Sequence, residues 1–95
     1  MVIRDIPGYE GLYSITDDGQ VYSIKRKIYM KQQADKDGYL CVNLRKDGRY
    51  RRFFIHRLVA LTYVENPEGK ETVNHINEIK TDNRAENLEW ATRKE

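Results

Sequence analysis

Val73-Asn74-His75-Ile76-Asn77, Lys80-Thr81-Asp82-Asn83-Arg84 and Glu86-Asn87-Leu88-Glu89-Trp90 follow one another near the C terminus, and their order decides how the last third of the chain folds. Thr72 to His75 reads as a strand, Asn77 to Arg84 as a polar loop, and Leu88 to Ala91 as the returning strand. Asn77, Asp82 and Asn83 suit a tight connection, because short Asn and Asp side chains bond to nearby backbone groups. The same stretch sets one imidazole among several carboxamides. A histidine flanked by oxygen ligands suits metal-assisted phosphodiester hydrolysis. A neutral imidazole activates water, while a hard divalent cation stabilises charge on the phosphate and the leaving oxygen.

Upstream, the period changes twice. Leu12 to Ile15 and Val21 to Ile24 alternate apolar and polar around the turn sequence Asp17-Asp18-Gly19, which predicts a hairpin. Ile28 to Lys31 reads as a short strand. Tyr39 to Leu44 and Arg49 to Ile55 form a second hairpin around Lys46-Asp47-Gly48, so the first half is expected to be an antiparallel sheet. From His56 onward, Leu58, Leu61 and Val64, broadened by Val59 and Tyr63, have helical spacing. Asn66-Pro67-Glu68-Gly69 ends that helix, because proline restricts its predecessor and glycine opens a turn. Thr92-Arg93-Lys94-Glu95 matches a capping box, so a further helix is expected to begin where the sequence stops.

Ninety-five residues with one cysteine bound the possibilities. The core is modest, and stability can lean on a bound metal or nucleic acid. Cys41 has no disulfide partner and sits among alternating apolar residues, as a packed thiol would. No stretch approaches the roughly 20 apolar residues of a membrane span, and the start lacks a signal peptide's apolar region. Cytoplasmic residence and no membrane partner are expected. No obligate protein partner is evident either. The net charge of +2 hides an asymmetry: Lys25 to Arg57 carries eleven cations against three carboxylates, Leu58 to Glu95 five against eight. Arg49, Arg51 and Arg52, beside Tyr50, Phe53 and Phe54, together with Lys25, Arg26 and Lys27, form a basic stripe suited to phosphate contacts on double-stranded DNA.

The stretch from Val73 to Thr92 resembles the HNH endonucleases, in the branch of phage and intron homing enzymes. The resemblance extends through His56-Arg57-Leu58-Val59-Ala60. It also reaches Ile6-Pro7-Gly8-Tyr9-Glu10-Gly11-Leu12-Tyr13, which is similar to the opening of the nuclease-associated modular domain of these enzymes. It implies an α+β chain: a small antiparallel sheet, a short helix and a ββα-metal motif whose last helix is truncated. Residues 1–48 would be the DNA-contacting modular domain and 49–95 the HNH motif, incomplete at its C terminus.

By the same resemblance, His75 matches the general base and Asn74 the preceding metal ligand for Mg²⁺ or Mn²⁺, often an aspartate. Asparagine brings no charge and would bind the ion more weakly. On a strand the two side chains point to opposite faces, unless the strand ends or bulges there. Asn87 matches the central asparagine that ties the loop together, and Asn83 is read as loop-stabilising too. Trp90 is read as a core anchor, and Arg57 as a phosphate contact through its planar fork. His56 is read as structural or DNA-contacting. The family's final ligand, on the helix after the second strand, would fall beyond Glu95.

The expected function is therefore a metal-dependent DNA endonuclease of phage or mobile-element origin, acting in the bacterial host cytoplasm and nicking one strand as a monomer. A catalytically incomplete DNA-binding module derived from such an enzyme is the first alternative. A phage adaptor that binds a host protein through the acidic C-terminal half is the second.

Overall fold

The computed structural model describes residues 2–93. Its N-terminal sheet is antiparallel in chain order, with β1 (Ile3–Asp5), β2 (Tyr13–Thr16), β3 (Val21–Ser23) and β4 (Ile28–Tyr29). β2 is buried on both faces, so its polar members need partners. Ser14 Oγ donates to Asp5 Oδ1 at 3.0 Å. Thr16 Oγ1 donates to Asp18 and accepts the Gln20 N–H, tying the Asp17-Asp18-Gly19 turn to the strand it leaves.

A second sheet contains β5 (Gln33–Ala34), β6 (Leu40–Lys46) and β7 (Arg49–Phe54). The β6–β7 ribbon runs in register from Cys41 opposite Phe54 to Lys46 opposite Arg49. Asp47 (φ 54°) and Gly48 (φ 76°) turn it, both in the left-handed region that a tight two-residue hairpin requires. The 48/49 boundary drawn from the sequence falls within this turn. The first half thus holds two sheets rather than one, and β1 and β5, three and two residues long, were too short to register as periodic segments.

Helix α1 (Ile55–Tyr63) follows β7 directly, with Phe54 as its extended N-cap. Its buried face is Ile55, His56, Leu58, Val59 and Ala60. The expected contribution of Leu61 is corrected, since that side chain is 54% exposed. The helix starts at Ile55, and Ile55, Leu58 and Val59 supply the i, i+3, i+4 contact. Asn66 then closes the following turn, donating from Nδ2 to Lys70 O and accepting the Lys70 N–H.

The chain ends in an antiparallel hairpin, β8 (Thr72–His75) and β9 (Leu88–Ala91), entered through a 3-10 turn at Ala85–Asn87. Ile6, Tyr13, Ile15, Val21, Val42, Leu44, Ile55, Leu58, Val59 and Leu88 form one core shared by all three sheets and the helix. Trp90, read from the sequence as a core anchor, is half-buried outside that core and instead ties the hairpin to the end of the helix, its indole N–H donating to Val64 O at 3.0 Å. The helix expected from the capping box at Thr92–Glu95 runs onto Lys94 and Glu95, which lie outside the described residues. No described helix is long and apolar enough to cross a membrane.

Candidate active site

The loop between β8 and β9 is built by side chains rather than by regular structure. Asn87, 5% exposed, accepts the Asn77 N–H at Oδ1 (3.1 Å) and donates from Nδ2 to Asn77 Oδ1 (3.0 Å) and Asp82 O (2.9 Å). Asn77 donates in turn to Asp82 Oδ2, and its Oδ1 accepts the Ile79 N–H. Arg84 grips both Asp82 oxygens, at 2.8 Å each. That guanidinium, with the Asn77 amide, holds the Asp82 carboxyl well below the usual carboxylate range. Between the strand ends, the loop leaves its backbone few ways to move.

This scaffold carries His75, the last residue of β8 and 6% exposed. Its Nε2 lies 2.8 Å from Asn83 Oδ1. A carboxamide oxygen only accepts, so against Asn83 a neutral ring carries its proton on Nε2 and keeps the Nδ1 lone pair. Asn83 is therefore the orienting partner that sequence reasoning could not identify. It is 4% exposed and is held from the far side of the molecule. A Cβ built on Gly19 would lie 3.1 Å from Asn83 Cβ and 3.0 Å from Ile55 Cγ2, and Gly19 itself has φ 94°. The neighbouring Ala85 N–H donates to Asp17 O at 2.7 Å. The first hairpin's turn thus buttresses the β8–β9 loop.

His56, placed by α1, brings a second imidazole to the site. Its ring centroid lies 5.0 Å from that of His75 and 5.2 Å from that of Tyr39. Burial, then the neighbouring His75 and Arg57, push its pKa down to about 4, so it is neutral near pH 7. Nothing in the linear sequence placed His56, Tyr39 and His75 together, since they come from α1, the loop before β6 and β8.

Asn74 stands apart from this cluster. It is exposed opposite Glu89, while His75 faces inward opposite Leu88, so the two adjacent side chains do point to opposite faces. Asn74 Nδ2 donates to Glu89 Oε1 at 2.9 Å, which leaves the amide oxygen outward beside a carboxylate. Among the described residues no group of three His, Cys, Asp or Glu is arranged to hold an ion. One amide oxygen with an adjacent carboxylate fits a hard cation that keeps most of its waters, as Mg²⁺ does, rather than a fully protein-ligated one.

The basic residues divide between surfaces. Arg49 and Arg51 alternate onto the face of β7 that continues into the core, where Arg51 packs over Phe53 at 5.4 Å. Arg52 points the other way, donating to Cys41 Sγ at 3.4 Å, and with Tyr50 and Asn43 it lines an open cleft of about 310 Å³. Arg26 and Lys31 face it across that cleft. Lys25 and Lys27 are exposed in the β3–β4 turn. Arg57 is partly committed, donating to Glu71 O at 3.0 Å and lying over Trp90.

Residues 1–45 match the NUMOD4 motif and residues 53–95 match the HNH endonuclease family. The fold agrees. A solved structure of DNA binding and cleavage by the HNH homing endonuclease I-HmuI superposes with a TM-score of 0.92 at 42% identity, covering 99% of this chain and 54% of that one. The chain belongs to the HNH endonuclease family. In sequence it is 43% identical over 91 residues to the DNA endonuclease I-HmuI of Bacillus phage SP01, covering 96% of this chain and 52% of the phage protein. It is also 46% identical over 83 residues to an HNH endonuclease of Acanthamoeba polyphaga mimivirus, covering 87% of this chain and 25% of the viral protein. This HNH chain therefore spans a quarter to a half of the length of these relatives. The α+β architecture and the NUMOD4–HNH order expected from the sequence both hold.

Proposed function

We propose that this HNH chain hydrolyses phosphodiester bonds of double-stranded DNA with a divalent cation, Mg²⁺ or Mn²⁺, nicking one strand per encounter in the cytoplasm of a phage-infected bacterial host. The observation that carries the reading is the His75–Asn83 pair. A buried imidazole with its proton fixed on Nε2 offers Nδ1 to a water, which is what a general base must do. Asn87 acts one step back, keeping the β8–β9 loop in the shape that puts Asn83 against His75. The neutral His56 ring beside His75 adds no positive charge to compete for its lone pair.

Asn74 Oδ1, with the Glu89 carboxylate alongside, would hold the cation on the other face of β8 from His75. Because β8 ends at His75, a phosphate lying across that strand end would meet both. The ion's chemistry would be to neutralise charge on the phosphate. Arg26, Lys31 and Arg52 across the cleft, and Lys25 and Lys27 beside it, would carry the DNA backbone, with Arg49 and Arg51 on the ribbon's other face. Arg57 would contribute only through the donors that Glu71 leaves unused.

The test is nicking of supercoiled plasmid with Mg²⁺ or Mn²⁺, against EDTA and a His75→Ala control. Metal-dependent nicking that disappears in His75→Ala while DNA affinity persists supports the reading. Cleavage by His75→Ala at the parent rate removes it. The cleft favours one second reading, a DNA-binding module that does not cleave, because the cations and Tyr50 there need no metal to engage a backbone. Binding that falls steeply with salt, is indifferent to EDTA and leaves plasmid intact would select it.

A further inference from the structure

We propose that His56 is a positioning residue for His75, its ring forming the wall that holds the His75 imidazole with Nε2 on Asn83 and Nδ1 open. The inference rests on the reading of His75 as the base. The in-plane bond to Asn83 fixes one nitrogen of His75. One such bond leaves the ring free to tilt about it, so a packed neighbour is needed to set the plane.

His56 supplies that contact. Its ring lies 5.0 Å from His75 at an interplanar angle of 53°. Behind it stand Tyr39 at 5.2 Å and Phe54 at 5.4 Å. Tyr39 also reaches His75 directly, at 6.0 Å and 31°, so two rings touch the imidazole and Phe54 backs both of them. The wall does not yield easily, because its helix is seated in the core by Ile55, Leu58 and Val59, each no more than 2% exposed. His56 is itself 9% exposed, and its Nδ1 has no hydrogen-bond partner among the described residues. A hydrogen bond of its own therefore does not explain why this ring sits here, whereas its contacts with His75, Tyr39 and Phe54 do.

The experiment pairs ¹⁵N imidazole spectra at neutral pH, recorded without DNA or metal, with nicking kinetics. In the parent, His75 is expected as a single tautomer protonated at Nε2. His56→Ala should give a mixture of His75 tautomers and lower kcat by about 10- to 100-fold with KM and DNA affinity unchanged. His56→Phe, which restores an aromatic wall without the nitrogens, should return both the single tautomer and most of kcat. His56→Leu fills the volume without a ring and takes the place of alanine should that variant fail to fold. An unchanged His75 tautomer in His56→Ala or His56→Leu, or a His56→Phe no better than either, overturns the proposal. The spectra need no turnover. A parent chain that fails to nick plasmid yet shows the tautomer response would defeat the nuclease reading and leave the positioning role standing.

Discussion

Replacing Asn87 with alanine should be the most damaging single change in the β8–β9 loop. The side chain is 5% exposed and makes three hydrogen bonds, to the Asn77 N–H, Asn77 Oδ1 and Asp82 O. Each is worth about 1 kcal/mol net, and alanine strands the Asn77 N–H and the Asp82 carbonyl in a part-buried pocket. The sum is about 2–4 kcal/mol. A domain of this size holds about 5–15 kcal/mol, so the variant should remain folded. At about 4–8 °C per kcal/mol, its midpoint should drop by about 10–25 °C in a thermal melt followed by circular dichroism. Asn87→Asp discriminates further. It keeps an acceptor for the Asn77 N–H, loses both donated bonds and sets a charge against Asp82 O, so it should fall close to alanine. A midpoint for Asn87→Ala within a degree or two of the parent would refute the assignment of the loop's stability to this carboxamide. It would also undercut the inference that Asn83 is held in place through the same loop.

Three further outcomes follow from other parts of the molecule. His56 has its folded pKa depressed from 6.5 to about 4, so the unfolded chain binds the extra proton between those values. Stability should therefore be full above about pH 6.5 and fall by up to about 3 kcal/mol as pH drops toward 4, a slope that denaturant titrations should find reduced in His56→Phe. Gly19→Ala should cost about 1–3 kcal/mol, since φ 94° disfavours any side chain and the new Cβ meets Ile55 and Asn83; a neutral effect in urea unfolding would show that the turn can retreat. Arg52→Ala should weaken DNA binding and reduce the slope of log K against log salt by about one unit, where an unchanged slope would take the cleft out of the interface.

What could be read from the sequence was whatever repeats locally. The two hairpin turns, the helix after Phe54 and the Thr72–His75 and Leu88–Ala91 strands all announce themselves through alternation, helical spacing or Asp-Gly. The short strands at Ile3–Asp5 and Gln33–Ala34 do not, because two or three residues carry no period. Leu61 misled because i, i+3 spacing from Leu58 cannot fix which edge of a helix faces inward; the start at Ile55 does. His75 and Asn74 were visible as a motif, but the groups that act on His75 were not. Asn83 is eight residues away, His56 nineteen, and Gly19 reaches Asn83 from the first hairpin. Each meets the site through tertiary packing that no local pattern encodes. The basic stripe was legible as composition, yet strand alternation splits Arg51 from Arg52, which a charge count does not see.

The contact between Gly19 and Asn83 bears on how such a nuclease motif could be moved between proteins. A graft of residues 53–95 onto another DNA-binding scaffold would carry His75, Asn83 and Asn87, but would leave behind the glycine turn against Asn83, the Asp17 carbonyl that receives the Ala85 N–H, and Tyr39. It would also cut the β6–β7 ribbon, whose Val42 and Leu44 pack in the same core as Leu58 and Leu88. The smallest portable unit is therefore longer than the motif that gives the family its name. It runs from the first hairpin to the last strand, and recombination between such genes should be tolerated at the outer ends of this unit far better than at the join between its two motifs.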